Sequence, residues 1–117
     1  MGTDQDIIAN PGSPLNSPSK KYILKIEEEI IENIKYLKFV IQDNQNGQVF
    51  YPNELFDNRH NTFFLWDDSD NVWVYSGDVG TYVWEHKQST WIKKHYSEID
   101  SSPPYFLSNK YPKLFKK

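Results

Sequence analysis

The stretch FLWDDSDNVWVYSGDVGTYVWEHKQSTW, residues 64–91, carries all four tryptophans of a 117-residue chain, interleaved with acids and turn formers. Three β-prone runs, 62–66, 72–76 and 81–86, are separated by DDSDN and GDVG. Turn-rich breaks between such runs predict a three-stranded antiparallel meander. With Asp67–Asn71 as a five-residue loop, Leu65 faces Trp73 and Phe63 faces Tyr75. With Gly77–Gly80 as a four-residue loop, Trp73 faces Trp84 and Tyr75 faces Tyr82. All six side chains then share one face.

The other face, with Phe64, Trp66, Val72, Val74 and Val83, is also apolar. A sheet with one solvated face alternates apolar and polar residues, and this one does not. Two readings follow. Either both faces are covered, one by an Ile-rich helix and one by the C-terminal segment, or one aromatic face stays open to a ligand.

Working outward, Ile23, Ile26, Ile30, Ile34 and Leu37 recur every three or four residues, with Glu27, Glu28, Glu29 and Glu32 on the other faces. That spacing predicts an amphipathic helix with Ser19 as N-cap, a strand through Tyr22–Ile26 being the alternative. Around Leu37, Phe39 and Ile41 the period drops to two, and Asn46-Gly47 predicts a hairpin to the run 48–51. Residues 52–61 read as a loop. Trp91, Ile92, His95, Tyr96 and Ile99 suggest a short helix over 89–99, stopped by Pro103-Pro104. Residues 105–117 read as an extended tail that docks through Tyr105, Phe106, Leu107, Leu114 and Phe115. At the other end, 1–19 is rich in Pro, Gly, Asn and Ser and reads as a disordered arm. Its Ser13-Pro14 and Ser17-Pro18 dipeptides fit proline-directed phosphorylation.

The expected fold is therefore a single α+β domain over 20–117. An N-terminal amphipathic helix packs on an antiparallel sheet of about five strands, a hairpin plus the meander, closed by a short C-terminal helix or tail.

Composition narrows function. The chain has no cysteine, which removes disulfide frameworks and thiolate chemistry. It shows no signal-peptide pattern, no apolar run long enough for a membrane span, and no myristoylation signal. A soluble cytoplasmic protein is expected, and the Lys-, Asn- and Ile-rich usage suggests a low-GC genome. The net charge of -3 is uneven: 54–85 holds seven acids and one Arg, whereas 86–117 holds seven Lys and two acids. Nucleic-acid binders gather cations around their stacking aromatics. Here the aromatic segment is the acidic one, so nucleic acid is not the expected partner.

The segment from Trp73 to Trp91 resembles a WW domain in its two tryptophans, its Tyr-rich middle and its His followed by Thr-Trp. It departs from that family in a shorter Trp–Trp spacing, and in Lys93 and Lys94 where the family has a proline. The Pro-peptide binding that the family implies is therefore not carried over. DDSDN lacks the ligand spacing of a calcium loop. His60, His86 and His95 have no zinc-type spacing, so neither metal nor cofactor is expected. Glu85 and His86 are neighbours on a strand and point to opposite faces; with Asp78 and His95 they are the residues to mutate if the protein is an enzyme.

The leading functional expectation is a small non-catalytic protein-binding domain: an intracellular inhibitor, immunity-type protein or adaptor. It would use an acidic aromatic sheet surface of Trp73, Tyr75, Tyr82 and Trp84 rimmed by Asp67, Asp68, Asp70 and Asp78, facing another protein with a basic surface. The alternative is a sugar- or nucleotide-binding domain, or an enzyme, using the same rings as a platform.

Overall fold

In a computed structural model of the chain, which describes residues 8–77 and 79–115, two antiparallel sheets pack face to face, and a C-terminal layer covers the second. The first sheet holds β1 (Leu15–Asn16), β2 (Tyr22–Ile31), β3 (Ile34–Asp43), β4 (Val49–Phe50) and β5 (Phe56–Asp57). β2 and β3 form its central hairpin; β1 lies outside β2, while β4 and β5 both pair with the far edge of β3. The second sheet is a meander of β6 (Thr62–Trp66), β7 (Val72–Ser76), β8 (Gly80–Lys87) and β9 (Thr90–His95). A 3-10 turn at Tyr96–Glu98 leads to α1 (Tyr105–Lys110) and α2 (Pro112–Phe115).

The predicted N-terminal helix does not form, and the fold is mostly β rather than α+β. Residues 22–31 are a strand, with Leu24 and Ile26 turned into the core and Lys25 and Glu27 outward. The three-to-four spacing of isoleucines misleads because β-branched side chains favour extended backbone, and because Ile30 and Ile31 are not core residues at all: they are 68% and 40% exposed. A two-residue turn, Glu32 and Asn33, with φ of 51° and 67°, closes the hairpin. Both positive values are those of a type I′ turn, whose twist matches its strands. Likewise 89–99 is not a helix. Gln88 and Ser89, φ 51° and 69°, form a second such turn that sends β9 back along β8.

The hairpin at Asn46-Gly47 forms as expected, pairing Ile41 with Phe50 and Gln42 with Val49. The supposed loop 52–61 contains β5, whose Phe56 is buried. In the meander, Leu65 faces Trp73 and Phe63 faces Tyr75 as expected. The β7–β8 register differs by one residue: Trp73 faces Val83 and Tyr75 faces Thr81. Gly80 is the reason. At φ 102° it enters the ladder opposite Ser76, leaving a three-residue loop; glycine alone adopts such backbone cheaply. A slip of one residue moves every side chain on β8 to the other face.

Consequently, both faces of the meander are buried. Phe64, Trp66, Val72, Val74 and Trp84 meet Leu24, Ile26, Phe39 and Ile41 of the first sheet. Leu65, Trp73 and Val83 meet Ile99, Leu107 and Phe115. The Ile-rich segment and the C-terminal segment do cover the two faces, the first as strands and the second as short helices.

Residues 8–19, read as part of a disordered arm, run along both sheets. Ala9 N–H donates to Phe64 O (2.8 Å), Leu15 pairs with Leu24, and Trp66 Nε1 donates to Leu15 O (2.9 Å). Ser17 is buried and its Oγ accepts from Tyr22 N–H, which leaves it poorly presented to a kinase. No helix among the described residues is long and apolar enough to cross a membrane.

Candidate functional site

Two cross-strand pairs, one from each sheet, face each other at one end of the sandwich. Tyr22 opens β2 and lies opposite Asp43, the last residue of β3. His86 of β8 lies opposite Trp91 of β9. Paired residues of an antiparallel ladder share a face, so the tight turns beyond each pair fix all four side chains at the mouth of the interlayer space.

The four make one constellation. The Tyr22 hydroxyl lies 3.4 Å from His86 Nδ1. The Tyr22 ring meets Trp91 edge-on at 5.0 Å, and His86 lies 5.1 Å from Trp91. Trp66 stacks on Tyr22 at 6.3 Å and lies 6.1 Å from Trp91. A cleft of about 290 Å³ opens between Tyr22, Asp43, His86, Trp91, Phe50 and Thr90. A second depression of about 220 Å³, lined by Lys21, Ser69, Asp70 and Asn71, adjoins it across Tyr22 and His86.

Electrostatically the site is negative. Burial pushes the Tyr22 phenol above its ordinary value, and the charges of Asp43 and Asp70 push it further in the same direction. Asp43 Oδ1 accepts from the N–H groups of Gln45 (2.8 Å) and Asn46 (3.3 Å), which pins the carboxylate at the head of its turn. Asp70 accepts from Ser19 N–H (3.2 Å) and from the Ser19 hydroxyl. Among the described residues no carboxylate hydrogen-bonds to His86, whose Nδ1 faces the Tyr22 hydroxyl. No cluster of three metal-ligating side chains occurs among the described residues.

The residues expected to form the site are scattered. Trp73 and Tyr75 face the C-terminal layer, where Trp73 is 1% exposed and Tyr75 stacks on Tyr111 at 4.3 Å. Tyr82 and Trp84 face the first sheet: Trp84 packs edge-on against Phe39 at 4.9 Å, and Lys93 Nζ lies 4.3 Å above the Tyr82 ring. That cation is held by Glu54 at 2.9 Å. The four rings therefore do not meet on one surface.

Of the acids, Asp67 is 2% exposed and organises the β6–β7 turn. It accepts from the backbone N–H groups of Ser69 (2.8 Å) and Asn71 (3.0 Å), from Asn71 Nδ2 (3.0 Å) and from Trp73 Nε1 (2.8 Å). Asp68 is exposed, Asp70 borders the second depression, and Asp78 lies outside the described residues. Glu85 pairs with Lys94 at 2.8 Å. His95 caps the 3-10 turn, its Nδ1 accepting from Ser97 N–H (3.3 Å).

Of the residues singled out beforehand that the structure describes, only His86 and Asp70 border this site. Tyr22, Asp43 and Trp91 were missed. A two-residue turn at Gln88-Ser89 would have paired His86 with Trp91, but neither residue is a usual positive-φ choice.

No protein-family model, curated protein or solved structure matches this chain.

Proposed function

We propose that this is a non-catalytic protein-binding domain that receives a basic side chain of its partner in the Tyr22–Asp43–His86–Trp91 cleft. The single observation behind the reading is the facing of those two cross-strand pairs, which sets aromatic rings and a carboxylate around one opening. A guanidinium or ammonium group suits such a site. It gains from the π faces, about 0.5–2 kcal/mol depending on desolvation, and from the Asp43 and Asp70 charges. Size points the same way. The cleft, at about 290 Å³, lies at the low end of small-molecule sites, which run from roughly 300 to 1,000 Å³, and fits a single side chain. Recognition of this kind is what an inhibitor, an immunity-type protein or an adaptor requires.

Amide shift mapping with the capped tripeptide acetyl-Gly-Arg-Gly-amide tests it. Saturable shifts should centre on Tyr22, Asp43, His86 and Trp91, and Asp43→Asn should weaken binding about fivefold, roughly 1 kcal/mol, while Asp68→Asn leaves it unchanged. An equal response to the glutamine tripeptide would defeat the reading. So would a neutral sugar or nucleoside shifting the same residues more strongly.

A further inference from the structure

The β2–β3 hairpin continues past the point where its outer edge is covered. Because a two-residue turn follows a hydrogen-bonded pair, Ile31 and the alternate residues Glu29, Glu27, Lys25 and Ile23 exchange hydrogen bonds with β3. The intervening residues turn their N–H and C=O groups to the other side. There Tyr22 O accepts from Ser17 N–H (2.8 Å), β1 pairs at Leu24, and Pro11 bridges to Ile26. At Glu28 and Ile30 the cover stops. Among the described residues, nothing pairs with their outward N–H and C=O groups.

Open edges are normally blunted by proline, bulges or very short length. None of these applies here. Ten consecutive pairs join β2 to β3 in unbroken register, and residues 22–31 contain neither Gly nor Pro. What this edge carries instead is charge and exposed apolar surface: Glu27, Glu28, Glu29 and Glu32 surround Ile30 and Ile31. Among the described residues, Lys35 and Lys38 offset them, the closest contact being Lys38 to Glu29 at 3.1 Å. Pairing with a second copy would bring two such glutamate-rich edges together, which like charge opposes.

We propose that the β2 edge at Glu27–Ile31 is a docking site for an extended strand of a partner protein that carries lysine or arginine. The added strand takes its main-chain hydrogen bonds from Glu28 and Ile30, sets its cations beside the glutamates and lays an apolar residue on Ile30. This is β-augmentation with charge as the filter. The free edge is about 16 Å long, enough for a five-residue strand. It lies at the far end of the hairpin from Tyr22, so it stands independently of the cleft.

The test uses the full chain and a fluorescein-labelled peptide, acetyl-KVKVTVK-amide, followed by anisotropy at 50 and 150 mM salt. Saturable binding that weakens with salt is expected, as is a loss of at least tenfold for Glu28→Pro. That change removes an outward donor and spares the bonds to β3. Glu28→Gln should weaken binding only two- to fivefold, and Asp68→Asn, an exposed acid away from this edge, should have no effect. Where Glu28→Pro does not fold by circular dichroism, amide hydrogen exchange on the unmodified protein decides. Glu28 and Ile30 should exchange fast alone and slowly with peptide, whereas Glu27, Glu29 and Ile31 stay slow throughout. No saturable binding, unchanged binding in folded Glu28→Pro, slow exchange at Glu28 and Ile30 without peptide, or self-association through this edge would each overturn the proposal.

Discussion

Strand β7 and the distal half of the β2–β3 hairpin are both regular antiparallel ladder, and they differ in what lies above and below them. On β7, Val72 and Val74 press on the first sheet while Trp73 presses on the C-terminal layer, and all three are at most 1% exposed. Beyond Leu37 no residue of the hairpin is buried, β5 reaches it only along the β3 edge at Tyr36, and Ile30 and Ile31 are exposed. Alternation of apolar and polar residues records a difference between two environments. It vanishes where both faces are buried, and equally where neither is.

Replacing a large side chain in each region tests this most strongly. Trp73→Ala should destabilise by about 3–5 kcal/mol through lost burial and a cavity, whereas Ile30→Ala should change stability by less than about 0.5 kcal/mol; urea unfolding measures both. A large cost at Ile30 would mean that the tip is covered.

The acids sharpen the same contrast. Asp67→Ala strands Trp73 Nε1 and the buried Asn71 N–H, and should cost roughly 3 kcal/mol. The exposed Asp68 and the half-buried Glu29, paired with Lys38 at the surface, should each be worth less than about 1 kcal/mol.

A smaller change, in the favourable direction, belongs to the hairpin tip. Glu32→Asn combined with Asn33→Gly places Asn-Gly where both φ values are positive, and should stabilise by about 1 kcal/mol, seen as a raised melting temperature.

The smallest effect is expected at β5, beside the hairpin. The Arg59 side chain and backbone N–H bond Asp57 and hold its carboxyl at about 2, against an ordinary value of 3.8. With the folded value depressed, this contribution is present above about pH 4 and is lost as pH falls through 2. Acid titration of Arg59→Ala should therefore show a shallower loss of stability over that window than the unmodified chain.

Much of the second sheet was legible in the sequence, because its turns announce themselves: DDSDN set the β6–β7 register correctly. The β7–β8 register turned on whether Gly80 belongs to loop or strand, which only its backbone conformation decides. The first sheet was hidden by a coincidence of spacing among isoleucines, and by turn residues, Glu32-Asn33 and Gln88-Ser89, that are ordinary in composition though not in φ. Tyr22, Asp43 and Trp91 could not be recognised as neighbours without the pairing of both hairpins. Those residues are 21 to 69 positions apart in the chain.

The covering of the sandwich by residues 8–19 sets an order of events. Leu15 O waits for the indole of Trp66, and Ala9 waits for Phe64, partners more than fifty residues further along. Emerging from the ribosome, this segment exists before either of the surfaces it joins. Closing so long a loop carries an entropic cost that only preformed surfaces offset. The contacts of Ala9 and of Leu15 O with β6 therefore form late, after that hairpin, whereas Leu15 and Ser17 pair early with Leu24 and Tyr22, nine and five residues on. Until the late contacts close, the β6 edge stands open to whatever strand is nearest.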